Sequence, residues 1–352
     1  MKILIAGGDG YCGWATALYL SARNHDITII DNFIRRQWDE EHHLNSLVPI
    51  YSLEERVQEW KRLTGKIIHI INLDITNYSS LCQTINCEKK FHVLIHFAQQ
   101  RSAPFSMIDH DHSIRTHINN TVGNLNILWA LHEYSSDTHL IKLGTMGEYG
   151  TPNIDIEEGF INIEYKGRSD RLPYPKQPGS FYHLTKVSDS DQINFACRTW
   201  NLRATDLNQG VVYGYDTDEI NLSPILANRF DYDHIFGTVL NRFCIQVALD
   251  HPLTVYGKGG QTRSFINIRD TVKCIEIACE KPAQQGEYQI HYYNSINTNL
   301  RSLGLEPTLL SNQTIISLIE LAQKYQNRVN LQLIPPKIQW NLEQQNISTH
   351  NK

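Results

Sequence analysis

Short apolar runs alternate with segments of helical periodicity over the first two thirds of the chain. Apolar runs bounded by turn-forming residues are typical of buried parallel strands, and apolar residues that repeat every three to four positions are typical of amphipathic helices. The sequence predicts strands at residues 2–6, 26–30, 66–73, 93–97, 140–143 and 203–207. Helices are predicted at residues 14–21, 53–63, 116–134 and 181–200. This alternation predicts an α/β fold, a doubly wound parallel sheet of the Rossmann type.

The strand–helix alternation loosens beyond residue 207. Helices are predicted at residues 236–248, from 269 onward and at 313–325, and a strand from residue 253 runs into a glycine turn. We therefore predict a nucleotide-binding domain over residues 1–206 and a smaller α/β substrate lobe over residues 207–352, partly interleaved with the first. Residues 151–180 are rich in Gly, Pro and charge and are predicted to form a loop over the site.

A glycine-rich turn separates the first predicted strand from the first predicted helix. Glycines at positions 7, 10 and 13 allow a tight turn, close approach of a pyrophosphate and close helix packing, while the helix N-terminus offers free N–H groups. A strand before the turn and a helix after it favour dinucleotide binding over a merely structural turn. Asp31 ends the second strand, where a carboxylate binds the adenosine ribose and favours NAD. Arg35 and Arg36 leave NADP as an alternative, since they could receive a 2′-phosphate. The predicted cofactor-binding residues are Gly7, Gly10, Tyr11, Cys12, Gly13, Asp31, Asn32, Arg35, Arg36, Asp74, Ile75, Tyr182 and Lys186.

Tyr182 and Lys186 stand four residues apart in a predicted helix and therefore share one face. A lysine ammonium beside a phenol favours phenolate, which can take a hydroxyl proton while hydride leaves the same carbon. The pair alone is common on exposed helix faces, so the interpretation also depends on the glycine turn and on Thr145 at a strand end. Thr145 is placed to hydrogen-bond the reacting oxygen, and Glu148 adds a second titratable group to that segment.

Arg101 follows the fourth predicted strand, at the edge where ligands bind in an open α/β sheet. It is therefore a candidate anion-binding residue, with a surface arginine as the alternative. The acidic and histidine residues at 109–112, together with His117, match no metal-ligand spacing. We interpret them as a solvated polar face and predict no metal site.

Composition excludes several classes of function. The 352 residues carry a formal net charge of −5 without a basic block, so nucleic acid is not an expected partner. No apolar run reaches membrane-spanning length, and the first residues form a strand pattern rather than a signal or transit peptide, so membrane insertion is not expected. Seven cysteines without C-x-x-C spacing fit reduced thiols.

Several long motifs carry a family resemblance. Residues 5–14, 96–107, 142–158, 173–186, 204–214 and 251–270 resemble the extended short-chain dehydrogenase/reductase family of NAD-dependent nucleotide-sugar enzymes. The run GTMGEYGTPNIDIEEG, which starts at Gly144, is far more specific than the short family signatures. The resemblance runs from residue 1 to about 290 and from 291 to 340. It is to the branch that makes the sulfolipid head-group donor from UDP-glucose and sulfite, a C–S bond-forming reaction formally classed with the hydrolases.

The resemblance implies roles for individual residues. Thr145, Tyr182 and Lys186 match the catalytic triad, and Glu148 and His183 match further catalytic positions. The implied substrate-binding residues are Gln100, Arg101, Thr145, Tyr182, Asn208, Gln209, Asn241, Arg242, Val255, Gln261 and Arg263. The implied reaction oxidises glucose C4 with NAD, removes the C5 proton through Glu148 or His183, expels water from C6, adds sulfite there and regenerates the cofactor. A homodimer through the helices at 116–134 and 181–200 is also implied, with burial of these helices within the monomer as the alternative. The implied location is a plastid stroma or the cytoplasm of a photosynthetic bacterium.

Two departures from the family pattern affect these expectations. Gln99 stands where the family pattern leads us to expect a glutamate, and a strand–helix–strand portion of the substrate lobe is missing between Ile290 and His291. That portion carries an arginine that grips the UDP phosphates, a charge-assisted contact of ~1.5–3 kcal/mol or about ten- to hundred-fold in affinity. Two alternatives remain open. Another NAD-dependent nucleotide-sugar epimerase or dehydratase would not depend on sulfite, and a non-catalytic NAD-binding relative would bind UDP-glucose without turnover.

Overall fold

A seven-stranded parallel sheet forms the centre of the protein in a computed structural model that describes residues 1–86, 90–255, 263–292 and 298–338. The strands are β1 (Lys2–Ala6), β2 (Asp26–Asp31), β3 (Ile68–Asn72), β4 (Val93–His96), β5 (His139–Thr145), β6 (Phe160–Tyr165), β7 (Arg168–Pro173), β8 (Arg203–Gln209), β9 (Val211–Tyr213), β10 (Phe265–Asn267) and β11 (Tyr288–Tyr292). The order in the large sheet is β3-β2-β1-β4-β5-β8-β11, while β9 pairs with β10 and β6 with β7. The predicted doubly wound α/β fold is confirmed.

Helices cover both faces of this sheet and build the smaller lobe. They are α1 (Tyr11–Ala22), α2 (Ile34–Glu41), α3 (Leu53–Thr64), α4 (Tyr78–Ile85), α5 (Ala103–Ser106), α6 (His110–His117), α7 (Gly123–Tyr134), α8 (Phe181–Trp200), α9 (Val239–Ala248), α10 (Ile268–Glu280), α11 (Thr298–Ser302) and α12 (Asn312–Lys324). A π-helical segment, Ile118–Val122, joins α6 to α7, so the predicted helix 116–134 is the second part of a longer interrupted one. No helix within the described ranges is long and apolar enough to cross a membrane.

Strand β1 shows why the sheet strands are continuous apolar runs. Ile3 and Ile5 pack into a core with residues of α1 and α10, whereas Leu4 and Ala6 pack into a core with residues of α4, α7 and α8. Successive side chains point to opposite faces, and both faces are covered, so neither set of positions can be polar.

Residues 151–180 contain more structure than their composition predicts. The loop prediction is wrong at the centre of the segment, where β6 and β7 form an antiparallel hairpin from the pair Phe160–Pro173 to the pair Tyr165–Arg168. Lys166 and Gly167 make its two-residue turn with φ of 51° and 70°, and two positive φ angles match the twist of a tight hairpin. Because the turn is charged and the strands are exposed, the composition of this segment resembles that of a loop.

The second half of the chain both completes the large sheet and forms its own core. β11 pairs in parallel with β8 at the sheet edge, and α10 packs against α1. In the smaller lobe, α9 packs against α12, with Phe230, Ile245 and Leu318 in their common core. The strand expected from residue 253 is wrong for 253–255, which carry no strand, and its remainder lies outside the described residues. The domain boundary at residues 206 and 207 stays a prediction.

Candidate active site

A cavity of about 1000 Å³ opens at the carboxyl edge of the large sheet. Its walls come from the glycine turn, the ends of β4, β5 and β8, the start of α8 and a segment of the smaller lobe between residues 229 and 241. This is the edge at which ligands bind in open parallel sheets, and the cavity is at the upper end of the size range of small-molecule and cofactor sites.

The glycine turn is too tight to accept side chains. Gly7 has a φ of 88°, and a Cβ built on Gly13 would lie 2.1 Å from the carbonyl oxygen of Gly7. Gly10 is the N-cap of α1 and provides no capping side chain, so the first N–H groups of the helix face the cavity side of the turn. The turn and helix terminus therefore form the cradle that a pyrophosphate requires.

Asp31 lies beside this cradle, at the end of β2. Its carboxylate accepts the N–H groups of Asp9 at 2.9 Å and Phe33 at 2.8 Å, which fixes its orientation towards the cavity. Burial, and then the neighbouring Asp9, raise the pKa of Asp31. The remaining lone pairs of such a carboxylate can accept ribose hydroxyls.

Arg35 and Arg36, which left NADP as an alternative cofactor, form ion pairs within the protein. Arg36 donates two hydrogen bonds to Asp9, at 2.7 and 2.8 Å, and Arg35 is paired with Asp39 and with Asp231. Both guanidinium groups therefore already have carboxylate partners at the position of a 2′-phosphate. The residues at this end of the cavity fit NAD.

Thr145, Tyr182 and Lys186 line the opposite end of the cavity. α8 begins at Phe181 because Ser180 caps it, and Tyr182 and Lys186 lie one turn apart on the buried face. The Lys186 ammonium donates to the side chain of Gln99 and, at 2.8 Å, to the carbonyl oxygen of Leu143; it lies 6.0 Å from the Tyr182 ring centre. Burial lowers the pKa of Lys186 to about 8.

The pKa of Tyr182 departs from the sequence-based expectation. We expected the lysine to lower it, but the phenol is buried, and burial raises the pKa of Tyr182 above its ordinary value. Desolvation of the phenolate thus outweighs the positive charges of Arg101 and Lys142, which act to lower the pKa of Tyr182.

Gln99 links the lysine to a buried acid that sequence reasoning missed. Its amide nitrogen donates to Asp189 at 2.5 Å while its carbonyl oxygen accepts from Lys186. Asp189 lies one turn along α8 from Lys186, and burial raises the pKa of Asp189 to about 6. The side chain at position 99 therefore bridges the two charged groups.

Glu148 is fully buried and faces away from the cavity. Its carboxylate lies 3.3 Å from the Lys142 ammonium and 2.7 Å from the Lys176 ammonium, and accepts the Ser190 hydroxyl at 3.0 Å. Asp206 completes this network, because it lies 2.8 Å from the Ser190 hydroxyl oxygen, whose one proton can go to either acid, and 3.2 Å from the Lys142 ammonium. A carboxylate held in this way supports the wall of the site and has no surface on the cavity.

His183, in contrast, lines the cavity. Its Nδ1 lies 2.9 Å from the Ser180 hydroxyl, and burial lowers the pKa of His183 to about 4. The imidazole is therefore neutral at neutral pH and has a lone pair available to take a proton.

Arginines surround a buried acid where the smaller lobe meets the sheet. Arg101 donates to Asp231 and, at 3.2 Å, to the carbonyl oxygen of Phe236; Arg35 and Arg229 lie 3.3 and 3.8 Å from Asp231. Burial opposes ionisation of this acid, but the three guanidinium groups still lower the pKa of Asp231. The three arginines line the cavity together with Asp231, and we call this arginine-rich segment the positive wall.

The structure brings most of the predicted residues to this cavity. The predicted residues that line it are Gly7, Gly10, Tyr11, Cys12, Gly13, Asp31, Asn32, Arg35, Ile75, Arg101, Thr145, Tyr182, His183, Lys186, Gln209, Asn241 and Arg263. Those that lie in the described structure but outside the lining are Arg36, Asp74, Gln100, Glu148, Asn208, Arg242 and Val255. Asp74 and Gln100 act behind the wall, where Asp74 accepts from Asn32 at 2.9 Å and Gln100 bonds Thr116. Gln261 lies outside the described residues.

A known protein family and two relatives of known name are similar to this chain. The model of the NAD dependent epimerase/dehydratase family matches residues 3–293. The chain is similar to UDP-sulfoquinovose synthase, chloroplastic, from Spinacia oleracea, with 48% identity over 383 residues, 96% of this chain and 79% of the spinach protein. It is also similar to UDP-sulfoquinovose synthase from Sulfolobus acidocaldarius, with 43% identity over 291 residues, 82% of this chain and 74% of that protein. The spinach alignment spans 383 positions against 352 residues here, so it includes gaps in this chain.

Solved structures share the fold at low sequence identity. UDP-glucuronic acid 4-epimerase from Bacillus cereus, a Y149F mutant in complex with a UDP-sugar analogue and NAD, superposes with a TM-score of 0.65 at 18% identity, covering 92% of this chain and 99% of that one. UDP-glucose 4-epimerase from Bifidobacterium longum, in complex with NAD+ and UDP, has a TM-score of 0.65 at 15% identity, covering 93% and 98%.

Proposed function

Because the chain belongs to the NAD dependent epimerase/dehydratase family, we propose that it makes UDP-sulfoquinovose and water from UDP-glucose and sulfite. The observation that carries the proposal is one cavity lined by the glycine cradle, by Thr145, Tyr182 and Lys186, and by the positive wall around Asp231. Relatives at 48% and 43% identity bear the name of this activity. The product serves sulfolipid synthesis, and we assign the protein to a plastid stroma or to the cytoplasm of a photosynthetic bacterium.

The cofactor of this family is NAD, and this chain offers it the glycine turn, Asp31 and the N-terminus of α1. When bound, NAD supplies a hydride acceptor for the sugar C4 and returns the hydride at the end, so the overall reaction is not an oxidation. The buried, partly apolar walls keep bulk water from the sugar while its ring carries a ketone.

We propose that Tyr182 takes the proton of the C4 hydroxyl while Thr145 hydrogen-bonds its oxygen. Thr145 is placed for this role because it ends β5 at the cavity edge, where its hydroxyl also accepts the N–H of Gly147 at 3.1 Å. Burial raises the pKa of Tyr182, so the phenol needs positive charge to become a base. We assign that role to Lys186, whose ammonium lies 6.0 Å from the Tyr182 ring centre. The lysine must therefore stay protonated at the working pH.

We assign removal of the C5 proton to His183 rather than to Glu148. A ketone at C4 acidifies C5, and the base must reach the sugar within the cavity. His183 lines the cavity as a neutral imidazole, whereas Glu148 is held by two lysines behind the wall. Loss of water from C6 then leaves an alkene conjugated with the ketone, to which sulfite adds at C6.

Exchange of C5 deuterium separates the two candidate bases. His183→Asn is expected to slow the wash-out of deuterium from C5-labelled UDP-glucose by about 10²–10⁴-fold, the usual contribution of a general base. Glu148→Gln is expected to lower the melting temperature, because it removes the anionic partner of two buried lysines, yet to retain exchange per folded molecule. Retained exchange in His183→Asn would refute the assignment.

UDP is expected to meet the positive wall. Arg101 and Arg263 line the cavity, and Arg35 and Arg229 lie beside Arg101 around Asp231, so four guanidinium groups face this part of the cavity. We propose that this wall faces the diphosphate and substitutes in part for the arginine of the missing portion. UDP-glucose and sulfite are thus the proposed substrates.

Product formation tests the whole proposal. Purified protein would be mixed with UDP-glucose and sulfite without added NAD, and products followed by mass spectrometry. The mass of UDP-sulfoquinovose, only when sulfite is present, is the expected result, and it would also show that NAD is carried by the protein. Conversion of UDP-glucose to an isomer without any need for sulfite would contradict the proposal, as would absence of product from protein shown to contain NAD.

We also propose a homodimer that buries an apolar stripe on two neighbouring helices. The stripe consists of Ile118, Leu125 and Trp129 on the α6–α7 segment with Phe181 and Phe195 on α8, each 39% to 50% exposed. Large apolar side chains in contiguous rows are typical of helix-bundle interfaces. A second copy would bury both helices in a four-helix bundle.

A further inference from the structure

Two histidines that are distant in sequence meet between the end of α2 and α6. His42 follows α2 directly and His112 lies in α6, yet their Nε2 atoms are 3.2 Å apart. Glu41 joins them, and one ligand atom from each of the three residues lies within 4.8 Å of the others. None of the three lines the active-site cavity, so the cluster has no part in the reaction proposed above.

Asp109 fixes the proton of one imidazole. It is the N-cap of α6, where its Oδ1 accepts the backbone N–H of His112 at 2.9 Å and lies 2.7 Å from Nδ1 of the same residue. A carboxylate at that distance holds the proton on Nδ1, which leaves the lone pair on Nε2. That lone pair points at His42. Carboxylate–histidine pairs of this kind orient imidazoles that bind metal ions.

The separation of the two nitrogens matches a shared ion. Two nitrogens bound at ~2.05 Å to one tetrahedral ion lie about 3.3 Å apart, close to the 3.2 Å observed here. A hydrogen bond between neutral imidazoles would have a similar length, so the distance needs support from the surrounding charge.

The charge around the histidines favours a cation. Arg115 donates to both oxygens of Glu41 at 2.9 Å and pairs with Asp111 at 2.7 Å. Arg115 is thus paired with Glu41 and Asp111, while the third carboxylate of the cluster, that of Asp109, is paired with His112. Two negative charges therefore remain around two imidazoles, and a divalent cation would neutralise them.

We propose that Glu41, His42 and His112 bind a divalent transition-metal ion, for which Zn²⁺ is the best chemical match. Two imidazoles and one carboxylate are a zinc donor set, with water as the fourth ligand on the open side. The site ties α2 to α6 across Phe105, whose ring centre lies 4.8 Å from both His112 and Trp38. Since Trp38 lines the active-site cavity, the ion stabilises the wall beside the adenosine end.

Zinc binding by the full chain tests the site. Chelator-stripped protein would be titrated with Zn²⁺ in competition with a chromophoric chelator, and one equivalent is expected to bind. Asp109→Asn should weaken binding by about 10- to 100-fold, the usual effect of losing an outer-shell carboxylate, while asparagine still caps the helix. His42→Gln should abolish the site, and His110→Gln, an exposed neighbour in α6, should leave affinity unchanged.

A second measurement separates this site from surface binding. Saturating Zn²⁺ is expected to raise the melting temperature of the wild type and of His110→Gln, but not of His42→Gln, because only binding to the folded site is linked to folding. Co²⁺ in place of Zn²⁺ should give the intense visible absorption of a four-coordinate ion. Zinc affinity that is equal in wild type and His42→Gln, or absent from the wild type below about 100 µM, would overturn the proposal.

Discussion

Replacing Gln99 by glutamate is expected to move the alkaline limit of activity to higher pH. The Gln99 side chain accepts a hydrogen bond from Lys186, and burial lowers the pKa of that lysine to about 8. If the ammonium is needed to make Tyr182 a base, the rate must fall as pH rises through the lysine pKa. A carboxylate at position 99 stabilises the ammonium and therefore moves the fall in rate to higher pH.

The neighbours of Lys186 determine how far its pKa should shift in this variant. An opposite charge within hydrogen-bonding distance typically changes a pKa by roughly 1 to 3 units. The charged neighbours of Lys186 are Lys142, which lowers its pKa, and Asp189, Glu148 and Asp206, which raise it. The new carboxylate would also face Asp189, to which Gln99 now donates, so at neutral pH these two acids would share a proton. We therefore expect a shift of about 1 to 2 units, to roughly pH 9–10.

The assay is the dependence of kcat on pH from about 6 to about 11, with both substrates saturating, so that it reports groups in the enzyme–substrate complex. Titration of sulfite itself affects the wild type and the variant alike and cancels in the comparison. Gln99→Met serves as the control, because it removes both hydrogen bonds without adding charge. It should lower kcat without an upward movement of the alkaline limb.

An unchanged alkaline limb in Gln99→Glu would refute this reasoning. It would mean either that the lysine does not titrate in that range or that its ammonium is not needed. A limb that moves equally in Gln99→Met would show that packing at position 99, and not charge, governs the titration.

Three further predictions follow from individual contacts. Gly13→Ala should yield folded protein without NAD, measured by nucleotide released on acid treatment, because the added carbon would lie 2.1 Å from a backbone oxygen of the same turn. Trp129→Glu should shift the dimer towards monomer in sedimentation, whereas Leu309→Glu, at a side chain 75% exposed outside the stripe, should not. Burial lowers the pKa of His96 and of His139 to about 3, so the unfolded chain binds more protons between about pH 3 and 6.5. Unfolding free energy from urea titrations should then fall below pH 6.5 by roughly 1.4 kcal/mol per pH unit for each histidine, and His139→Gln should reduce that slope.

Local patterns predicted the parts of the fold that local chemistry determines. The glycine turn between β1 and α1 follows from residues within a single turn of chain, and α8 spans Phe181–Trp200 as predicted because Ser180 caps it. The β6–β7 hairpin was missed because its exposed strands carry many polar residues, and its strand pairing and the positive φ angles at Lys166 and Gly167 are visible only in the structure. Composition alone does not separate such a hairpin from a loop.

Contacts between distant segments were beyond the reach of sequence patterns. Gln99 and Asp189 are 90 residues apart in sequence. Their hydrogen bond lies beside Lys186 and forms only because the fold brings the segment after β4 next to α8. Glu148 is a case of the opposite kind, because its place in a strand-end motif suggests a catalytic base, whereas the fold places its carboxylate between Lys142 and Lys176. Spacing along the chain indicates which residues share an edge, but not which of them face the cavity.

The junction where the family resemblance places the missing portion is well supported in the fold. β11 runs without interruption from Tyr288 to Tyr292; the hydroxyl of Tyr288 donates to Asp206 at 2.8 Å, and the N–H of Tyr292 donates to Glu158 at 3.1 Å. The shortened chain thus completes its sheet and supports the network behind Glu148. Any deficit should therefore lie in UDP binding. We expect the KM for UDP-glucose to be about ten- to hundred-fold above that of the spinach relative, with a similar kcat. This pattern arises when a lost contact binds the substrate and the transition state equally well. A normal KM with a depressed kcat would instead place the defect in the catalytic end of the sheet.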